Sequence, residues 1–190
     1  QTNRDGMLTY NGPGQLEGYV IMELDRDLHE FIGTLARGIT TTLSTYGVAS
    51  VHRHGAHAGI WVGERKICSR GVRVKHGVTF HGFALNVTDE PLPYFEHIHP
   101  CGITEEKVMT TLSAHADVPM EQVVEDVARN MGTAFGNAMR MVEPQELGFF
   151  PKDKPDWIRI RPPKLGSMAK AHQLVKEAQL HTVCEEAHCP

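Results

Sequence analysis

Between residues 48 and 87 four runs of β-branched and apolar residues follow one another: Val48–His52, Gly59–Val62, Lys66–Lys75 and Val78–Val87. Gly55, Gly63 and Gly77 stand in the gaps. Branched and aromatic side chains suit a pleated, half-buried surface, and glycine marks the reversals between strands. The pattern predicts a four-strand meander or a mixed sheet, with a layer of helix over one face. Both flanks supply helices. From Asp27 onward Leu28, Phe31, Ile32, Leu35, Ile39 and Leu43 recur at helical spacing, with Asp27 as N-cap and Gly47 as the stop. Downstream, Met120, Val123, Val124, Val127, Met131 and Phe135 form a second apolar stripe, with Asp117 placed to cap it. Gly6 to Gly14 reads as a loop and Gly18–Met22 as a further strand. The expected class is α+β, a mixed sheet with helices packed on it.

At 190 residues, 41% apolar and 22% charged, the chain suits one globular domain with a short appendage. Pro144, Pro151, Pro155, Pro162 and Pro163 predict an extended linker over residues 144–166, so the first domain is expected to span residues 1–143. Residues 167–190 form the appendage, with a short helix expected from Met168 to Leu180. Nineteen basic against 23 acidic residues give a net charge of −4, which offers no surplus of positive charge to nucleic acid or anionic membrane. No apolar stretch approaches the roughly 20 residues that span a bilayer, and the polar start has no signal-peptide core. An intracellular, cytoplasmic protein is expected. Four cysteines are too few for a disulfide scaffold, so each is weighed as thiol or ligand.

Phosphate-binding loops are absent: Gly12-Pro13-Gly14 precedes a strand, whereas a dinucleotide fingerprint opens a helix. Two readings of this turn stand, a simple tight reversal or glycines that let backbone N–H groups approach a ligand. Cys101 sits in His99-Pro100-Cys101-Gly102-Ile103 and is either a buried inert thiol or a nucleophile. A free thiol is only about 3% thiolate at pH 7, so a nucleophile needs a nearby cation or base. Lys66, His81, His97 and His99 are the candidates. Cys68, two residues from Lys66, could share its face by strand alternation, but a small apolar filler is the simpler account. His52 and His54 share a strand face by alternation and, with His57, raise a metal reading that lacks any carboxylate or Cys at ligand spacing.

Four ordered motifs resemble the lipoyl(octanoyl) transferase family. They are Thr9-Tyr10-Asn11-Gly12-Pro13-Gly14-Gln15-Leu16, Gly59-Ile60-Trp61-Val62-Gly63-Glu64-Arg65-Lys66-Ile67, His81-Gly82-Phe83-Ala84-Leu85-Asn86-Val87 and Pro100-Cys101-Gly102-Ile103. The resemblance covers about residues 2–140 and implies a fold akin to the catalytic domains of biotin and lipoate protein ligases. It implies that Cys101 takes an octanoyl group from acyl carrier protein as a thioester and that Lys66 activates it. The acyl group then passes to a lysine on lipoyl domains of 2-oxoacid dehydrogenases or on the glycine cleavage H protein. Arg4, Gly6, Tyr10, Asn11, Gly12, Gly14, Gln15, His81, Gly82, Phe83 and Ala84 are the implied substrate-binding residues. Two positions depart from the family pattern: Asn11 stands where a histidine belongs, and Arg4-Asp5-Gly6 where the family has Arg-Gly-Gly. Family members also carry further residues upstream of this loop, so a piece of a longer protein is expected. The implied transfer needs no cofactor, because a thioester donor drives amide formation without ATP and a cysteine divides the transfer into two steps. An octanoyl chain of about six methylenes would gain at most ~5 kcal/mol in an apolar slot, for which Phe83 and Leu85 are candidates, although the same alternation makes them plain core.

Lys154-Pro155-Asp156-Trp157-Ile158-Arg159 and the final Cys184-Glu185-Glu186-Ala187-His188-Cys189 resemble the start of lipoyl synthase, over about residues 150–190. That resemblance makes Cys184 and Cys189 the first ligands of an incomplete iron–sulfur set. A 4Fe-4S cluster and S-adenosylmethionine would be required only if a full synthase region followed. A fused transferase–synthase is the simplest reconciliation. Two other classes stand beside the transferase: a non-catalytic module that binds lipoyl domain or carrier protein, and a cysteine hydrolase pairing Cys101 with His81 or His99.

Overall fold

The computed structural model describes residues 9–98, 103, 108–140 and 142. The chain divides into two units, residues 1–140 and 141–190, and the fold below belongs to the first. The expected linker over 144–166, the helix over 168–180, Cys184 and Cys189 lie outside the described residues.

Five strands, β1 (Gln15–Tyr19), β2 (Val51–Arg53), β3 (Gly59–Val62), β4 (Arg65–Lys75) and β5 (Val78–Asn86), make one sheet in the order β1-β5-β4-β3-β2. Every ladder is antiparallel, so β2 to β5 form the meander alternative and β1 adds to the far side of β5. The mixed sheet expected from the sequence reduces to one isolated parallel bridge, Lys66 with Met109. β1 begins at Gln15, three residues earlier than expected. Pairing starts directly after the Gly14 turn, and beyond Tyr19 the ladder lapses where His81 turns to φ 65° and leaves the extended region.

Two helices cover one face, α1 (Leu28–Thr45) and α3 (Met120–Phe135); between them in sequence lies the single-turn α2 (Leu92–Phe95), which no periodicity announces. The Asp27 carboxylate accepts from the N–H groups of His29 and Glu30, a cap that contributes about 1 kcal/mol. The stripe it introduces faces the core: Phe31, Leu35, Ile39 and Leu43 are at most 1% exposed, with Leu28 and Ile32 partly buried against them. Each of the first four contributes roughly 1.5–3 kcal/mol by burial. They pack with Val123, Val127 and Met131 of α3 onto Ile60, Ile67, Cys68, Phe83, Leu85 and Val87. Tyr46 reinforces the helix pair by donating from its hydroxyl to Asp126 at 2.6 Å. Asp117 does not cap α3. Pro119 occupies that position, its ring presetting φ at −62°, and no side chain accepts from the first turn. No described helix is long and apolar enough to cross a membrane.

A second, smaller core holds the far end of the sheet. Trp61, Phe95, Ile103, Val108 and Met109 are buried together, with Tyr10, Leu92 and Ile98 against them.

Candidate active site

Lys66 is 2% exposed, an unusual state for lysine. The local cause is a β-bulge. Ile60 pairs with Cys68 but its neighbour Trp61 pairs with Lys66, so one step along β3 is matched by two along β4. The extra residue, Ile67, joins Cys68 in the core under the helices, and strand alternation restarts from there. Lys66 is thereby turned to the opposite face, beside Trp61. The alternative in which Cys68 shares the face of Lys66 is corrected: alternation applies to an unbroken strand, and this one is broken between them. Gly59 records the same geometry. A Cβ there would come within 2.5 Å of Lys66 Cε and 2.6 Å of the Cys68 carbonyl, and its φ of 145° is open only to glycine. Among the described residues no ion pair includes Lys66.

A chain of hydrogen bonds fixes the backbone around it. Lys66 N–H donates to the Val108 carbonyl at 2.7 Å, and Thr110 N–H donates to the Lys66 carbonyl at 3.0 Å. The Asn86 amide nitrogen donates to the Thr110 carbonyl at 2.9 Å, while its oxygen accepts from the Gln15 amide at 2.8 Å. Gln15 in turn accepts from Gly12 N–H at 3.1 Å and donates its own N–H to the Gly12 carbonyl at 3.2 Å. Thus a buried strut, Asn86, connects the Gly12-Pro13-Gly14 turn to the strand that carries Lys66. Asn86 is absent from the residues expected at the site; its signal in the sequence is a polar side chain in an otherwise apolar run, and in the structure it is 1% exposed.

The Gly12-Pro13-Gly14 turn is held tightly against the end of β5. The Gly14 carbonyl accepts from both Val87 and Thr88, and at φ 83° a Cβ on Gly14 would lie 2.6 Å from Thr88 Oγ1. Gly14 is therefore needed for packing. Tyr10 stacks on Tyr94 with ring centroids 4.5 Å apart and meets Phe95 edge-on at 5.8 Å. Burial, then the neighbouring Tyr94 and Glu90, holds its phenol above the usual tyrosine range. Asn11 is exposed at the tip of the turn.

Strand pairing sorts the remaining candidates. Phe83 and Leu85 face the helices as core side chains. Gly82, Ala84 and Asn86 alternate to the face of Lys66, where Gly82 opposes Gly71 and Ala84 opposes Ser69. A floor of small side chains therefore lies on the face turned from the helices. His81 is half-buried, held at φ 65°, with its ring edge-on to Tyr19 at 6.4 Å. Arg4, Gly6, His99 and Cys101 lie outside the described residues; His97 is exposed, two residues past α2. The ends of the Cys101 segment are described, however. Ile98 packs against the Trp61 core, Ile103 is buried in it, and Val108 bonds to Lys66.

Cys68 is wholly buried, and burial pushes its thiol up to about 12 against the opposing pull of Lys66 and Arg70, so it is an inert filler. The three histidines do not gather. The His52 and His54 rings lie 4.2 Å apart, but His57 packs edge-on against Trp61 on the other face, and among the described residues no group of three ligand side chains could hold a metal.

Residues 1–132 match the family model of the lipoyl protein ligase A/B catalytic domain. The chain belongs to that family. The octanoyltransferase of Christiangramia forsetii is 40% identical over 144 residues, a match covering 70% of this chain and 60% of that one. The chain thus spans about 60% of that relative's length. Among solved structures, lipoate-protein ligase A bound with ATP superposes with a TM-score of 0.66 at 16% identity, covering 77% of this chain and 63% of that chain. Biotin protein ligase from Aquifex aeolicus gives 0.53 at 14%, covering 65% and 53%. The expected kinship with biotin and lipoate ligase catalytic domains is therefore met in the fold, with an antiparallel sheet in place of a mixed one.

Proposed function

We propose that the chain carries out octanoyl transfer through an acyl-cysteine, with Cys101 as nucleophile and Lys66 as the cation that activates it. The observation that carries the reading is a buried lysine, re-aimed by a bulge, whose own backbone anchors the returning end of the segment that bears Cys101. A neighbouring ammonium lowers a thiol's pKa and raises its thiolate fraction. Thiolate attack on the donor's thioester carbonyl forms acyl-Cys101 and releases the donor thiol, which takes up the thiol proton. Attack by an acceptor lysine amine then forms the amide and returns the thiol. The small-residue floor of Gly82, Ala84, Ser69 and Gly71 replaces Phe83 and Leu85 as the bed for the acyl chain, since it shares the face of Lys66. Arg4, Gly6, Tyr10, Asn11, Gly12, Gly14, Gln15 and His81 complete the substrate-binding set of this reading; Phe83, packed against the helices on the other face, leaves it. Octanoyl-acyl carrier protein is the donor, lipoyl domains are the acceptors, and the setting is cytoplasmic.

We further propose that residues 1–143 form the transferase region, 144–166 a linker and 167–190 the start of a lipoyl synthase-like region in which Cys184 and Cys189 are two ligands of an incomplete set. Anaerobic reconstitution with iron and sulfide tests it, with sub-stoichiometric cluster expected on this chain.

The experiment for the main reading mixes the chain with octanoyl-loaded carrier protein and a lipoyl domain and follows all three by intact mass. Transfer predicts one octanoyl group on an acceptor lysine. Free octanoate with an unmodified acceptor supports the hydrolase reading, and binding without any acyl movement supports the non-catalytic module.

A further inference from the structure

On the face opposite Lys66, a second group of polar side chains remains unsatisfied. Ser50 Oγ, His52 Nε2 and Arg70 Nε are buried atoms without a hydrogen-bond partner; the only other such atom among the described residues, Thr9 Oγ1, lies on the N-terminal loop. Strand alternation along β2 puts Ser50, His52 and His54 on one side, and the two imidazoles lie 4.2 Å apart. His52 opposes Ile60, which opposes Cys68, and Arg70 is two residues beyond Cys68 on the same side. His52, His54 and Arg70 therefore converge across the start of β3, while Ser50 sits level with its far end.

Their electrostatics are one-sided. Arg26, Arg53 and Arg129 each hold a carboxylate, from Asp25, Glu64 and Asp126. Half-buried Arg70 has none among the described residues, and burial holds its guanidinium below the usual arginine range. Burial, Arg70 and then His54 push His52 down to about 4, with no acid opposing them. A desolvated guanidinium without a counter-ion is costly, and an anion is what relieves it.

We propose that His52, His54 and Arg70 form a binding site for a tetrahedral oxyanion, inorganic phosphate or a phosphomonoester. The guanidinium offers a planar fork and the two imidazoles donate N–H groups. Donors arriving from two strands suit oxygens that point in several directions, where a carboxylate presents two in one plane. β2 is the outer strand and His54 is exposed, so the site opens to solvent at the sheet edge. It is separated from Lys66 by the thickness of the sheet, so its occupancy does not depend on the proposed transferase chemistry.

The test is a titration of the full chain followed by nitrogen-15 NMR of the histidine side chains at neutral pH. Inorganic phosphate should shift His52 and His54 saturably in the millimolar range and raise the pKa of His52, while chloride at matched ionic strength leaves both in place. Arg70→Gln should weaken binding by about tenfold or more. If that variant unfolds, His52→Gln read through the His54 resonance serves instead. Glycerol 3-phosphate separates the sources: shifts equal to those of phosphate mean that the site admits esters, and shifts with phosphate alone mean that it takes the free ion. Non-saturating shifts, equal affinity in wild type and variant, or preferential binding of acetate would overturn the proposal.

Discussion

Asn86→Ala is expected to loosen the site without dismantling the fold. In the native protein the Asn86 amide closes two bonds at once, accepting from Gln15 at 2.8 Å and donating to the Thr110 carbonyl at 2.9 Å. Truncation leaves the Thr110 carbonyl buried and unsatisfied, which costs about 1–3 kcal/mol. Half-buried Gln15 can turn to water, so its loss adds only about 0.5–1.5 kcal/mol. The sum is roughly 1.5–4.5 kcal/mol, to be read as a lower urea midpoint at unchanged slope. Asn86→Asp keeps the acceptor for Gln15 but sets an anionic oxygen against the Thr110 carbonyl, so it should lose at least as much at pH 7. Hydrogen exchange should quicken first at Thr110 and Leu112, whose N–H groups bond to Lys66 and Asn86. A stability loss in Asn86→Ala within about 0.5 kcal/mol of zero would refute the strut, since that is the range of an uncommitted surface substitution.

Removing the ammonium in Lys66→Ala should return the Cys101 thiol toward about 8.5 and slow its alkylation at pH 7 by about 10- to 30-fold; an unchanged rate–pH profile would make Lys66 a structural charge. Asn11→His, which restores the family residue at the exposed tip of the turn, should raise transfer about ten- to hundredfold if that position moves a proton, and equal rates would reduce it to a loop-former. Cys68 should resist alkylation in the folded chain at pH 8 and react only on unfolding. Because folding raises its pKa from 9.0 to about 12, it contributes stability that is whole below about pH 9 and is lost as pH climbs toward 12. Cys68→Ala should flatten that alkaline decline; an identical decline would assign it to other groups.

Most local signals in the sequence carry through to the structure. Asp27 caps α1, four of its six expected stripe residues are buried with Leu28 and Ile32 partly so, and the β4–β5 hairpin turns at Gly77. What could not be read depends on pairing between distant segments. The bulge at Ile67 is a property of the β3–β4 register, and a strict alternation of Lys66 with Cys68 inverted their faces. Phe83 and Leu85 carried the apolarity expected of an acyl slot, yet the helices claim that face, and the face of Lys66 is furnished by residues too small to signal themselves. The role of Asn86 exists only because residues 108–113 return beside it, a contact that spans 24 positions and leaves no periodic trace. Asp117 shows the reverse error, a good capping residue displaced by a proline nearer the helix.

The central claim is a covalent octanoyl-cysteine at position 101. Incubation of the chain with octanoyl-loaded carrier protein, acid quenching and peptide mapping by mass spectrometry reads it directly. The account predicts one octanoyl group on the peptide containing Cys101, released by neutral hydroxylamine as a thioester should be, and its absence from Cys101→Ser. An octanoyl thioester that persists in Cys101→Ser, or that maps to another cysteine, would contradict it.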